Sequence, residues 1–217
     1  MNTRINLQPI AAPSILGLYA FAGSTLMVAA NMAGWYGNSE TALYLIPFTT
    51  VFGGIAQFAA GMWAYKARDA IATAMHGTWG SFWVGFGILE VLMATGTIPA
   101  PEGSSFPALG YWFIALAAIS IMGTIAAAAK NLALTLTLGT LSLGSISAAL
   151  AFLLGSASGV GWEAVAGYAF IVAAICAWYT ASALMFEGVW GKSVLPVGTT
   201  ARALKAPSVA RVRASRA

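Results

Sequence analysis

The side chains of this sequence that could do chemistry lie in strongly apolar surroundings. His76, Trp79, Trp83, Gly87 and Glu90 recur at intervals of three or four residues, within a stripe about 80° wide on one helix face. An ionised carboxylate facing lipid costs at least ~2.5 kcal/mol, so we expect Glu90 to face protein, water or a proton. Glu90 and His76 are therefore candidate proton or gating sites. The alternative for Glu90 is a place near a helix end, within reach of the membrane interface.

Neutral hydrogen-bonding side chains form a second feature. Ser24 and Thr25 share a helical stripe with Phe21, and Gln57 follows the pair Gly53-Gly54. Such groups either line a polar pathway or bond to neighbouring helices. No cluster has metal-ligand spacing, and the sequence carries neither a convincing Ser/His/Asp set nor a phosphate-binding loop. We therefore expect no cofactor, no resident metal and no enzymatic activity.

Six apolar stretches must position these side chains, because 59% of the 217 residues are apolar and 7% are charged. Each stretch reaches the ~20 residues that a helix needs to cross a bilayer, and the backbone must be helical there. Lys130 and Asn131 must mark a turn, since one continuous helix would be too long for a bilayer. The prediction is an all-α integral membrane protein, a six-helix bundle with spans at 14–34, 42–65, 73–96, 110–129, 132–154 and 162–187.

The distribution of charge predicts the orientation of these spans. Glu40, Glu102 and Glu163 lie on alternate connections that contain no Lys or Arg. By the positive-inside rule, both termini are cytoplasmic, in a multi-pass protein of the cell membrane. All ten basic residues map to the cytoplasmic side: Arg4, Lys66, Arg68, Lys130, Lys192, Arg202, Lys205, Arg211, Arg213 and Arg216.

The chain divides into a cytoplasmic segment 1–13, a transmembrane domain 14–190 and a basic tail 191–217. The tail lacks apolar periodicity, so we expect it to be disordered. Its basic residues would lie beside the anionic leaflet of the lipid bilayer, with roughly 1 kcal/mol of attraction each. The net charge of +4 is thereby explained without a nucleic-acid partner.

Four ordered motifs resemble those of the acetate uptake transporter family, also called succinate–acetate permeases. They are residues 12–18, 52–57, 79–83 and 191–198, which read APSILGL, FGGIAQ, WGSFW and GKSVLPVG. The first departs from the family pattern at Ala12 and Ile15, where the family has Asn and Pro. In the third, Trp79 replaces the usual Tyr.

The resemblance implies a homohexamer in which each subunit carries small carboxylates such as acetate, or succinate, by channel-like passage or together with protons. It also implies a constriction at Phe21, Trp79 and Leu141. Substrate-binding candidates along such a pathway are the neutral donors Ser24, Thr25, Gln57 and Ser81.

Two other functions are compatible with the residues. A pore for small neutral solutes needs the same neutral donors, and a non-transporting membrane scaffold needs only the packed helices. Uptake of acetate into vesicles separates the three hypotheses.

Overall fold

The computed structural model describes residues 11–38, 41–155, 159 and 161–200. Its regular structure over those residues is helical. The elements are α1 Ser14–Met32, α2 Thr41–Phe48, a π-helical segment Thr49–Ala56, α3 Gln57–Ala67, α4 Ala70–Ala94, α5 Pro107–Ala127, α6 Leu132–Leu154 and α7 Trp162–Trp190.

Five of the described helices are long and apolar enough to cross a membrane: α1, the rod Leu43–Ala67 that joins α2 to α3, α5, α6 and α7. Helix α4 is not among them, although its 25 residues include a single charged side chain, Glu90. His76, Gly87 and Glu90, which belong to the stripe predicted on this helix, lower its mean hydropathy. The all-α membrane fold is therefore present. Hydropathy alone does not identify α4 as a membrane span.

Two helices begin at side chains that cap them. The Asp69 carboxylate accepts a hydrogen bond from Ala72 N at 3.1 Å and starts α4, three residues before the predicted span at 73. Asn131 Oδ1 accepts from Leu134 N at 2.8 Å and starts α6. Both satisfy backbone N–H groups that have no partner within their helix.

Helices α3 and α4 approach each other through glycine. A Cβ atom added at Gly61 would lie 2.6 Å from the backbone N of Gly77, and one added at Gly80 would lie 2.5 Å from the backbone N of Phe58. Small residues allow such close contact between backbones in a membrane. The pairing holds α3 against the side of α4 that carries Gly77 and Gly80.

The segment after α7 differs from the disordered tail predicted from residue 191. Leu132 N donates to Gly198 O at 3.0 Å, and Ala133 N donates to Val197 O at 3.0 Å. These N–H groups belong to the first turn of α6, so the returning chain supplies acceptors that the helix lacks. We call residues 192–200 the C-terminal strap. The predictions for residues 1–10 and 201–217 concern positions outside the described residues.

Large apolar side chains cover the outside of the bundle. Ile125 on α5 and Trp178 on α7 are 63% and 58% exposed, and Val51 and Ile55 of the π-helical segment are similarly open. Such a surface suits lipid or a neighbouring subunit rather than water.

Candidate functional site

A cavity of about 190 Å³ lies at the end of the bundle that carries Lys130. We call it the polar cavity, because His76 and Gln57 line it together with the hydroxyls of Thr137 and Thr180. Both hydroxyls already donate to backbone carbonyls of their own helices. Of these four buried side chains, His76 and Gln57 are the two that keep an unpaired polar atom.

His76 and Gln57 are buried with polar atoms unpaired. They are 4% and 2% exposed, yet neither His76 Nδ1 nor Gln57 Oε1 has a hydrogen-bond partner. Leaving a buried polar group unpaired costs about 1–3 kcal/mol, and both residues belong to the wall of the polar cavity. The imidazole packs on Gly17, where an added Cβ would lie 2.6 Å from the ring.

Trp79 divides the interior of the bundle. Of the described residues on their walls, Trp79 alone lines both the polar cavity and a second cavity of about 50 Å³. Its indole N–H donates to Ser120 Oγ at 3.1 Å, and its ring meets Phe21 edge-on at 6.1 Å between centroids. Phe21 and Leu141 also line the polar cavity. The structure thus brings the three predicted constriction residues to one wall.

The second cavity, which we call the aromatic cavity, is lined mainly by rings. Two of its polar atoms, Thr25 Oγ1 and Trp83 Nε1, are buried without a hydrogen-bond partner. Ser24 Oγ is also buried and unpaired, and it lies 2.6 Å from where a Cβ on Gly53 would stand. The rings that line the cavity are Trp79, Phe82, Trp83, Phe86, Phe113, Phe152 and Phe170.

A third cavity of about 160 Å³, the acidic mouth, continues from the aromatic cavity toward Glu163. The two share the side chains of Val28, Met32, Phe86 and Phe152. The three cavities therefore follow one another from the Lys130 end of the bundle to the Glu163 end, with Trp79 between the first and the second.

Besides Ser24, which lines none of the three cavities, two predicted site residues lie away from this series. Ser81 is on the exposed side of α4, where its hydroxyl donates to Gly77 O at 2.8 Å. Glu90 is half-buried about one turn before α4 ends at Ala94. Neither lines any of the three cavities.

An ion pair at the wall of the polar cavity was not predicted. Lys130 Nζ lies 2.9 Å from both carboxylate oxygens of Asp69. Burial raises the pKa of Asp69, but the hydrogen bond from Ala72 N and the Lys130 ammonium outweigh it and lower that pKa overall. Asp69 directly before an apolar run is a helix-start signal that could have identified its capping role. Ser120 and Trp79 are 41 residues apart in the chain, so no local sequence signal predicts their hydrogen bond.

Comparison with known proteins places this arrangement among membrane transporters. A model of the GPR1/FUN34/yaaH family matches residues 2–197. The acetate transporter protein patA of Aspergillus clavatus is 29% identical over 206 residues, which cover 90% of this chain and 81% of patA. The succinate-acetate/proton symporter SatP of Escherichia coli K12 is 25% identical over 194 residues, which cover 87% of this chain and 96% of SatP. The structure of the bacterial acetate channel SatP superposes with a TM-score of 0.76 at 21% identity, covering 87% of this chain and 99% of that one, so the fold is shared.

Proposed function

The chain belongs to the GPR1/FUN34/yaaH family, and on that premise we propose that it carries acetate and similarly small carboxylates, succinate among them, across a membrane. The relatives named above are transporters or channels for acetate and succinate. We propose no catalysed reaction.

The observation that carries this proposal is the series of three cavities interrupted at Trp79. Acetate combines a methyl group with a carboxylate, so it needs polar partners on either side of a short apolar passage. Gln57 on one side and Thr25 on the other have buried polar atoms that lack partners. An apolar constriction between them can gate by excluding water.

In this function Phe21, Trp79 and Leu141 form the gate. Gln57 and Thr25 contact the substrate from the cavity walls. Ser24, which lies beside Gly53 of the π-helical segment, supports these walls without contacting the substrate. The outward position of Ser81 speaks against a direct role within one subunit. Glu90, away from the cavities, would act as a proton site only through water or a neighbouring subunit.

The proposed topology has six spans, with α4 as the third and both termini in the cytoplasm of a cell membrane. At ~1.5 Å per residue, the 25 residues of α4 cover about 37 Å, enough for the ~30 Å hydrocarbon core. Glycine contacts hold α4 along α3, and His76, Trp79 and Trp83 on α4 line the cavities.

Cysteine labelling of intact cells tests this topology in a Cys176→Ser background, since Cys176 is the only cysteine. A reagent that does not cross membranes should react with Glu102→Cys and should leave Ser208→Cys unmodified. Labelling at 208 without labelling at 102 would reverse the orientation.

The proposed assembly is a homohexamer, following the family resemblance. Open apolar side chains on the π-helical segment and on α5 offer surfaces for neighbouring subunits as well as for lipid. Native mass spectrometry in mild detergent should give a sixfold multiple of the 22.3 kDa chain. A monomer that retains transport would contradict the assembly but not the transport function.

Tracer exchange in proteoliposomes tests the function itself. We expect acetate exchange well above that of protein-free vesicles, and little exchange of urea or glycerol. Exchange of urea or glycerol without acetate would indicate a neutral-solute pore instead. The absence of any exchange above protein-free vesicles would indicate a membrane scaffold.

A further inference from the structure

A groove of about 640 Å³ runs along the outside of the bundle between α3 and α4. We call it the outer groove, and none of its described lining residues belongs to the three cavities. On α3, Phe58, Met62 and Tyr65 form one wall and are 40%, 39% and 65% exposed. Arg68, in the turn between the two helices, lines one end. The wall on α4 consists of small side chains: Ala70, Thr73, Ala74, Gly77, Thr78 and Ser81.

The length of the outer groove matches one leaflet of a bilayer. Its α4 wall extends from Ala70, the first residue of the helix, to Ser81. This distance is about 16 Å at ~1.5 Å per residue, and half of the hydrocarbon core is about 15 Å thick. The groove is open at Gly77, where an added Cβ would meet no atom within 4 Å. An extended acyl chain therefore has the length to lie along it, from the membrane surface at Arg68 to the middle of the bilayer.

Arg68 places a positive charge at the membrane-surface end of the groove. In the part of the chain that the structure describes, the one ion pair joins Lys130 to Asp69, and both oxygens of that carboxylate contact the Lys130 ammonium. The acid next to Arg68 in the chain is therefore already occupied. Arg68 is exposed, and its backbone ends α3 in the left-handed region at φ 57°. Its guanidinium is available to an anion, and its planar donors suit a phosphate group.

Two occupants have the shape to cover the groove, a lipid and a second copy of this chain, and charge favours the lipid. A second copy offers few acids to the Arg68 end, because Asp69 is held by Lys130 and Glu187 belongs to the wall of the polar cavity. The other four acidic residues of the sequence are distant from that end along their helices: Glu40, Glu90, Glu102 and Glu163. An anionic phospholipid instead carries a phosphate at the level of the membrane surface, where a guanidinium can bind it with two hydrogen bonds.

We propose that the outer groove binds one anionic phospholipid, with its phosphate on the Arg68 guanidinium and one acyl chain lying past Gly77. On the proposed topology this lipid belongs to the cytoplasmic leaflet, where basic pockets between membrane helices bind anionic headgroups. Tyr65, one turn before Arg68, is a residue type enriched at the headgroup level. The contact is non-covalent and lies outside the three cavities, so it does not depend on the proposed transport of carboxylates.

Native mass spectrometry of the full-length protein tests the headgroup contact. Protein stripped of lipid is titrated with phosphatidylglycerol or with phosphatidylcholine of the same acyl chains, and we expect one phosphatidylglycerol per chain to bind more tightly. Arg68→Gln should weaken that binding at least about fivefold, the change that one basic residue near an anionic lipid surface produces.

The matched control is Lys66→Gln, which removes the same charge. Lys66 lies over the Trp63 ring at 4.9 Å and is not among the residues that line the outer groove, so its loss should leave the binding nearly unchanged. An equal loss in both variants would assign the preference to general surface charge and overturn the proposal. Equal binding of the two lipids by the wild type would overturn it as well.

Gly77→Leu tests the acyl-chain contact, because the new side chain fills the groove. The bound lipid should be lost, whereas Gly85→Leu should retain it, since Gly85 is equally open on α4 but lies outside the groove. Thermal unfolding in detergent shows whether each variant is folded, and if Gly77→Leu is not, Arg68→Gln decides.

Two further results would overturn the proposal. Displacement of the lipid by free glycerol 3-phosphate would indicate a site for phosphate alone. A lower oligomer mass in Gly77→Leu, with no lipid retained by the wild type, would assign the outer groove to a second copy of the chain.

Discussion

The polar and aromatic cavities meet at Trp79, and both are lined in part by α4, but their chemistry is opposite. On one side lie an imidazole, an amide and the Asp69–Lys130 ion pair. On the other, six further aromatic rings surround about 50 Å³ with few polar atoms. The first region can replace part of the hydration shell of a carboxylate, and the second can hold little beyond its methyl end. For the proposed function, we therefore expect the carboxylate to lose its hydration at Trp79.

The helical period accounts for how abruptly the two regions change. His76 and Trp79 are three residues apart on α4, and Trp83 follows after four, so one helix face passes from imidazole to indole within about one turn. Side chains from α1 and α6 meet this face at the same level, through Phe21 and Leu141. The proposed constriction is therefore one side chain thick rather than a long apolar tube.

The largest effect should come from removing the division between the cavities. Trp79→Ala joins them and admits water, so acetate exchange per folded protein should rise at least about tenfold, equivalent to a barrier lowered by ~1.4 kcal/mol. Discrimination against succinate should fall. Exchange of both acids, measured side by side in vesicles, checks the prediction.

The control for this change is Trp178→Ala, because Trp178 is 58% exposed on α7 and should leave exchange unchanged. If Trp79 only packs the core, its loss should instead destabilise by ~3–5 kcal/mol. Lower thermal stability with unaltered exchange would remove Trp79 from the gate.

A smaller effect should follow from disturbing the polar cavity alone. In Gly17→Ala, the new Cβ would meet the His76 ring at 2.6 Å, so the imidazole must shift, at a cost of roughly 1–3 kcal/mol. We expect half-saturation to require more acetate and the nuclear magnetic resonance signal of His76 to shift. Gly77→Ala is the matched control, since an added Cβ there meets no atom within 4 Å. Equal behaviour of the two variants would show that the seat on Gly17 is unimportant.

Ser120→Ala tests how firmly the boundary is held. The change leaves the indole N–H of Trp79 unpaired, so stability should fall by about 1 kcal/mol, and acetate exchange should rise slightly as the ring loosens. Thermal unfolding in detergent and vesicle exchange measure the two effects. Thr140→Ala, at a partly exposed position on α6 whose hydroxyl bonds to its own helix, should change neither. A larger stability loss in the control than in Ser120→Ala would contradict the assignment.

The smallest effect should come from the ion pair of the polar cavity. The lowered pKa of Asp69 keeps its carboxylate charged throughout pH 5–8. The stabilisation that this carboxylate provides is therefore fully present above its unfolded-state pKa of about 3.9. It is lost only as pH falls through the lower pKa of the folded protein. Both partners are about a third or more exposed, so Asp69→Asn should change stability by about 1 kcal/mol or less.

The same variant frees Lys130, because Asn caps a helix as well as Asp does. Acetate exchange should therefore rise at low ionic strength and return to the wild-type value near 1 M salt, where the Debye length is about 3 Å. Glu102→Gln, in the loop before α5, is the control with the same change in charge. A gain that persists at high salt would exclude an electrostatic cause.

Much of the fold could be predicted from the sequence, because lipid imposes length and helicity on each apolar stretch. The stretch 132–154 agrees with α6, since Asn131 is both a loop signal and a helix cap. Helix α4 begins at Ala70, three residues before the predicted span at 73, because the Asp69 side chain caps it. The contacts of residues 192–200 with the start of α6 could not be predicted, since their backbone hydrogen bonds join positions more than 60 residues apart and involve atoms common to all sequences.

The candidate site was predictable where one helix carries it and less so where helices meet. The stripe of α4 placed His76 and Trp79 on a common wall, and the buried polar side chains of Thr25 and Gln57 also line cavities. Ser81 lies within a shared motif, but its position on the helix turns it outward, which a motif match does not reveal. The outward direction of Ser81 could be predicted only from the packing of α3 against α4.

The C-terminal strap closes the chain on itself. From Asn131 the backbone runs through α6, through α7 and back to Thr199, where the two residues pair as a bridge and Thr200 N donates to Lys130 O at 3.1 Å. Helices α6 and α7 thereby form a hydrogen-bonded ring rather than an open hairpin. Because Leu195 and Val197 complete the wall of the polar cavity, that wall exists only after the final residues of the ring have been synthesised.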